Sequence, residues 1–145
     1  MVSAHVAGPD DWAEIVDLRT RVFVVEQGVP PEIEQDDRDA TAVHALVRDD
    51  DGRVVATGRL LLPDDGSGTA VIGRMAADAS ARGRGFGAAV LAELHRQARA
   101  RGAAAVELHA QVGARRFYER AGYAAVGAEY EEAGIVHVTM RRELC

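Results

Sequence analysis

The chain has 145 residues, 48% of them hydrophobic and 28% charged, enough for one domain with a sizeable core, spanning 1–145. Its formal charge of −6 argues against nucleic acid as a partner, which calls for a basic face. No apolar run reaches the length of a bilayer span, which argues against a membrane partner. The single cysteine, Cys145, cannot form an internal disulfide and reads as an inert terminal thiol. No basic-then-apolar leader pattern is visible, so a cytoplasmic protein is expected. All 17 basic residues are arginine, so the protein offers no lysine side chain for acetylation.

Ser3 to Ala7 alternate weakly and read as an edge strand. Pro9-Asp10-Asp11 opens a helix, with Asp11 and Glu14 spaced like a capping box. Trp12, Ile15, Leu18 and Val22 recur at helical spacing and form its buried stripe. Gly28 and Pro30-Pro31 end it. Glu32 to Asp39 form an acidic run. It reads chiefly as a solvated loop or short helix; the alternative is a wall that attracts a cationic substrate.

Thr41 to Arg48 alternate as a strand, Asp51-Gly52 makes a hairpin turn, and Arg53 to Leu62 return. After a turn at 63–68, Val71 to Ala77 complete three antiparallel strands. A helix from Gly85 to Arg101 buries Phe86, Val90, Leu91, Leu94 and Ala98 and stops at Gly102. In it, His95 reads as a surface residue. Ala103 to Gln111 form a strand with Glu107, His109 and Gln111 on one face. Ala114 to Ala121 form a short helix ended by Gly122. Ala124 to Tyr130 and Ile135 to Arg142 make a closing hairpin.

The stretch from Val71 to Arg101 carries the chemistry. A strand runs through a glycine-rich turn, Arg82-Gly83-Arg84-Gly85-Phe86-Gly87, directly into a helix. The first N–H groups of a helix lack intrahelical partners and sit at the positive end of its dipole. Glycines let a phosphate approach those donors closely. A P-loop is excluded because there is no lysine, and the alternating glycines do not make a dinucleotide fingerprint. No zinc-ligand spacing and no serine-nucleophile elbow are present, so no metal is expected.

Arg82-x-x-Gly85-x-Gly87 resembles the acyl-CoA pyrophosphate loop of the GNAT superfamily of N-acetyltransferases. A second segment, from Gln111 to Tyr123, resembles the family's N-x-x-A-x-x-F/L-Y-E-K-x-G-F/Y pattern. Ala114, Tyr118, Glu119, Gly122 and Tyr123 match it, and Gln111 stands where Asn is usual. Leu18 to Gln27, Ala56 to Leu60, Ile72 to Met75, Leu108 to Gln111 and Gly134 to His137 are similar to the ElaA-like branch.

The resemblance implies an α/β (α+β) GNAT fold: a mixed sheet of six to seven strands flanked by about four helices. The strands on either side of the pyrophosphate helix would be parallel neighbours whose ends part around the acyl-CoA arm. The activity implied is acetyl transfer from acetyl-CoA to the amine of a small molecule or peptide. The alternative is a non-catalytic acyl-CoA-binding module. Met75, Ala76, Ala77, Arg82, Gly83, Arg84, Gly85, Phe86, Gly87 and Gln111 would hold the cofactor, with an N–H near Met75 or Ala76 facing the oxyanion. Tyr118 is the candidate general acid. His109, Glu107, His137 and Glu26 are candidate bases, and a water relay is a further option. Arg59 and Arg74 would either pair with the acidic run or bind a substrate carboxylate. The acceptor and the oligomeric state, a homodimer included, stay open.

Overall fold

The computed structural model describes residues 3–144, so Cys145 lies outside the described residues. The chain begins with β1 (Ala4–Val6), α1 (Trp12–Arg19) and α2 (Pro31–Glu34). β2 (Val43–Arg48), β3 (Val54–Leu61) and β4 (Thr69–Ala77) come after them. Next are α3 (Phe86–Ala100), β5 (Ala105–Gln111) and α4 (Arg115–Arg120). β6 (Ala124–Ala125), β7 (Tyr130–Glu132) and β8 (Ile135–Glu143) close it.

Among the described residues the eight strands form one sheet, ordered β1-β2-β3-β4-β5-β8-β6, with β7 also on β8. The count is one above the six to seven expected. The extra strand arises in the closing hairpin, whose first arm is broken into β6 and β7 by an irregular stretch with Gly127 at φ +89°.

Each face of the sheet buries what its alternation predicts. On one side Val90, Leu91, Leu94 and Ala98 of α3 pack on Val55, Leu60, Ile72, Val106, Leu108 and Met140. On the other, Ile15, Leu18 and Val22 pack on Leu46, Val54 and Ala76. A fully buried leucine or isoleucine contributes about 1.5–3 kcal/mol, so α3 and its strands carry most of the apolar stabilisation.

The first helix departs from the expected course twice. Asp11 stands at the N-cap of α1, but its side chain makes no capping bond to that helix. A 3-10 turn, Pro9–Asp11, comes first, and the Asp11 carboxylate accepts from the Gly8 N–H at 2.8 Å and from Arg48 at 2.7 Å. After Arg19 the coil widens into π-helical turns over Thr20–Glu26. Such turns rotate the side chains out of α-helical register and are common near functional sites.

Two features of β4 open the middle of the sheet. β4 and β5 pair in parallel only from Thr69↔Ala105 to Ile72↔Leu108. Beyond that point β4 stays on β3 as far as Ala77, and β5 stays on β8 as far as Gln111. The strands therefore part. The cause is a bulge: Thr57 faces Ala76 and Arg59 faces Gly73, so Arg74 and Met75 together oppose Gly58. A bulge bends its strand, and Arg74 adopts φ +52° to make this one. Gly58 is required opposite it. A Cβ there would lie 2.5 Å from the Met75 sulfur and 2.9 Å from Leu94 Cδ1.

Candidate active site

The glycine turn before α3 is built as its composition suggests. Gly83 and Gly85 have φ of +79° and +82°, and Gly85 is the residue that caps α3. Positive φ there turns the chain so that the free N–H groups of the first turn open outward, which a residue with a Cβ resists. Gly87 lies inside the helix, where a Cβ would touch only the Phe117 ring, at 3.5 Å. Arg84 stacks over the Phe86 ring at 5.1 Å.

Arg82 is already committed. Its two terminal nitrogens donate to the Glu26 carboxylate at 2.6 and 2.7 Å, and Nε donates to the Ala77 carbonyl at 3.1 Å. It fastens the turn to the π-helical segment, and its hydrogen bonds hold the Glu26 carboxyl below its ordinary value. A carboxylate so held is a poor proton acceptor.

Two cavities meet where the strands part. The first, of about 780 Å³, runs from the glycine turn between α3 and α4. Gly83, Gly85, Phe86, Gly87, Leu91 and Phe117 line much of it. The second, of about 750 Å³, lies under the π-helical segment and is rimmed by β7 and β8. Both volumes suit organic ligands. Met75, Ala76, Ala77, Arg82, Ala114 and Tyr118 line both. Tyr118 is 7% exposed. Phe117 and Tyr123 hold its ring edge-on, with centroids 5.0 and 5.8 Å away. Burial pushes its hydroxyl up to about 12, so at neutral pH it carries its proton.

The second cavity is floored by ions, and here the solvated reading of the acidic run holds only for part of it: Glu32 and Asp37 are exposed, while Glu34 and Asp39 turn inward. Glu34 and Asp39 are 3% and 9% exposed, and they meet Arg19, which is 1% exposed. Arg19 donates to Glu34 Oε2 at 2.6 Å and to Asp39 Oδ1 at 2.8 Å. Arg59 donates to Asp36 Oδ1 at 2.7 Å and to Asp39 Oδ1 at 2.8 Å. Arg74, on the bulge, donates through Nε to the Glu34 carbonyl at 2.8 Å. Three arginines thus neutralise three acids. Burial alone would raise the Asp39 carboxyl, but hydrogen bonds from Arg19 and Arg59 outweigh it and lower it. The Arg59 hydrogen bonds hold Asp36 far below the usual carboxylate range. Arg59 and Arg74 therefore pair with the acidic run. The Arg59 Nε is buried with no partner among the described residues.

The other expected site residues divide. Gln111 lines the second cavity rather than the first, and its amide donates to Gln27 Oε1 at 2.8 Å. His109 and His137 line the second cavity with Glu132. Glu107 sits opposite Val71, where the strands are still paired, and its carboxylate accepts from Arg141 at 2.9 Å. Glu26 and Glu107 line neither cavity. His95 is not a surface residue. It is 4% exposed, 2.7 Å from the Tyr123 hydroxyl, and accepts at Nδ1 from Arg142 at 3.0 Å. Burial, with Arg142 and Arg99 nearby, lowers it to about 4. The segment from α4 to β6 covers a helix face that would otherwise be wet.

Arg19, Gln27 and Glu132 escaped the sequence reading. For Arg19 a signal existed: Trp12, Ile15, Arg19 and Val22 share one helical stripe, so a charge fell on the buried face, and its guanidinium lies 5.6 Å over the Trp12 ring. Glu132 lay in a segment read as a turn and had no comparable signal.

A mixed sheet parted beside a glycine turn, with a buried tyrosine at the fork, is the arrangement of the GNAT fold. Residues 13–144 match the acetyltransferase (GNAT) domain family, and the chain belongs to that family, within its ElaA-like branch. It is 35% identical to ElaA of Escherichia coli over 132 residues, covering 90% of this chain and 86% of that one. It is 33% identical to the uncharacterised N-acetyltransferase YjcF of Bacillus subtilis, covering 87% and 88%. The fold superimposes on an acyl-CoA N-acyltransferase of Pseudomonas aeruginosa with a TM-score of 0.84, at 32% identity over 98% and 99% of the chains. On the E. coli ElaA structure the TM-score is 0.85, at 29% identity over 99% and 100%.

Proposed function

We propose that this protein transfers an acetyl group from acetyl-CoA to an amine held in the ionic cavity. The observation that carries this reading is the fork itself: two ligand-sized cavities share Met75 to Ala77 and Tyr118. A thioester in one cavity and an amine in the other meet there without a covalent enzyme intermediate.

The pyrophosphate lies against the N–H groups of Gly83 to Gly87, at the positive end of α3. The pantetheine arm enters between β4 and β5, along Met75 to Ala77. The bulge at Arg74 re-aims the backbone at Met75 and Ala76, and an N–H there stabilises the oxyanion of the tetrahedral intermediate. The amine nitrogen attacks the thioester carbon, the C–S bond breaks, and Tyr118 gives its proton to the departing sulfur. Burial raises the proton affinity of a thiolate leaving beside Tyr118, as it raises that of the phenol itself.

Calorimetric titration with acetyl-CoA tests the cofactor side. The wild-type protein binds, and Gly85→Asp, which sets a side chain and a negative charge at the head of α3, does not. Tyr118→Phe keeps binding and loses about 100-fold or more in kcat. Binding by the wild type with no turnover across a broad amine panel would leave an acyl-CoA-binding module instead. No binding would end the cofactor assignment.

A further inference from the structure

An acceptor amine arrives at neutral pH as an ammonium ion and must lose a proton before its nitrogen can attack. On the transfer reading proposed for this site, that proton goes to a group in the ionic cavity. Of the four candidate bases, Glu26 is bound by Arg82 and Glu107 by Arg141, and both lie outside the cavity. His109 is half exposed, with Nδ1 3.2 Å from Glu132 Oε1.

His137 is different. It is 7% exposed and stands on β8 opposite Gln111, three residues past the last β4–β5 pair. Its Nδ1 lies 2.7 Å from the carbonyl of Ile135. A carbonyl only accepts, so Nδ1 carries the hydrogen and donates it. In the neutral ring Nε2 then holds a lone pair. This nitrogen lies 3.9 Å from Glu132 Oε2, a carboxylate on the same cavity. The ring also stacks on Tyr130, with centroids 6.1 Å apart. Glu132 and Tyr130 from β7 and His109 from β5 are the titratable groups facing it.

We infer that His137 is the general base, with Nε2 taking the proton of an alkylammonium acceptor and Glu132, whose Oε2 lies 3.9 Å from that nitrogen, acting as a positioning residue. The reaction balances. The ammonium gives one proton to His137 Nε2 and thence to water. The C–N bond forms to give the tetrahedral intermediate, and the C–S bond breaks as that intermediate collapses. Tyr118 protonates the sulfur and is reprotonated with the second proton that the nitrogen sheds. The net products are the amide, the free thiol of CoA and one proton.

The test begins without any acceptor. NMR of protein labelled with nitrogen-15 in histidine reads the ring directly. Nδ1 protonated and Nε2 bare in neutral His137 supports the assignment; the opposite tautomer overturns it. The second arm compares acetyl transfer to benzylamine and to aniline, which is already neutral at pH 7, from pH 6 to 9. His137→Asn should lose about 100-fold in kcat/KM on benzylamine at pH 7. The loss should shrink as pH approaches the amine's own value, and the aniline rate should fall less than about threefold. Glu132→Gln should lower kcat on benzylamine by less than His137→Asn does, with KM and the aniline rate within about threefold of wild type. Equal losses on both amines, a loss independent of pH, or a wild type inert to both amines overturns the assignment. Calorimetry keeps the two readings apart. If His137→Asn binds acetyl-CoA as the wild type does, its loss belongs to the base. If the wild type binds none, it is the transfer reading that fails.

Discussion

The two cavities that meet at Tyr118 are made of different materials. The helix-side cavity is built mainly from glycines and apolar side chains of one continuous stretch and the helix beside it, with Arg82, His95, Arg120 and Arg142 as its charged or polar exceptions. The ionic cavity is built from side chains far apart in the chain, with Glu34, Arg59, Arg74, His109 and Glu132 among its walls. The first suits a ligand that is always the same, because backbone donors read a phosphate and little else. The second suits one ligand among many, because each charge must find its partner in the folded chain.

The largest effect should come from cutting the ionic floor. Arg19→Ala leaves Glu34 and Asp39 buried without their main partner and should cost about 3–5 kcal/mol in chemical denaturation. If the cavities are separable, the folded fraction still binds acetyl-CoA with unchanged affinity. Weakened binding would show the floor reaching across the fork. A smaller loss, about 1–3 kcal/mol, is expected for Gly58→Ala, whose Cβ collides with Met75 and Leu94 beneath α3. Here acetyl-CoA affinity should fall as well, since Met75 lines the shared wall. A stable Gly58→Ala protein with full affinity would mean that the bulge tolerates repacking.

The smallest effect is one of pH. Asp36 and Asp39 have carboxyls lowered in the folded protein. Their stabilisation is complete above the unfolded value near 4 and is lost as pH falls from there through the lower folded values. Thermal scans should show a loss of a few tenths of a kcal/mol per carboxylate by pH 4, growing below it. Replacing both by Asn should flatten the slope; an unchanged slope would assign the acid sensitivity to other groups.

This division of materials also explains what could be read from the residues. The strand, glycine turn and helix from Thr69 to Ala100 were legible because local rules fix them: φ > 0 at Gly85, an apolar stripe on α3, a stop at Gly102. Tyr118 was legible through the segment around it. The ion floor was not. Glu34, Asp36 and Asp39 look like any solvated charge run, and only the widened turn after Arg19 and the bulge at Arg74 bring three arginines onto them. His95 failed for the same reason in miniature, since the segment that buries it, with Tyr123, comes some two dozen residues later. For Glu132, only the pairing of β7 with β8 brings it beside His137.

The parting of β4 and β5 has one more consequence. From Gly73 to Ala77 and from His109 to Gln111, each strand is paired on one side only. These are raw edges, yet they sit in the middle of the sheet. An outer edge invites another chain to add a strand and is usually guarded by charge, proline or a bulge. This inner pair needs little such guarding. The strands are joined at Ile72 and Leu108, and a polypeptide strand needs about 4.8 Å on either side, so a narrow chain enters the slot more readily than a folded neighbour. The protein thereby keeps unsatisfied backbone ready for a ligand without offering it to its own copies.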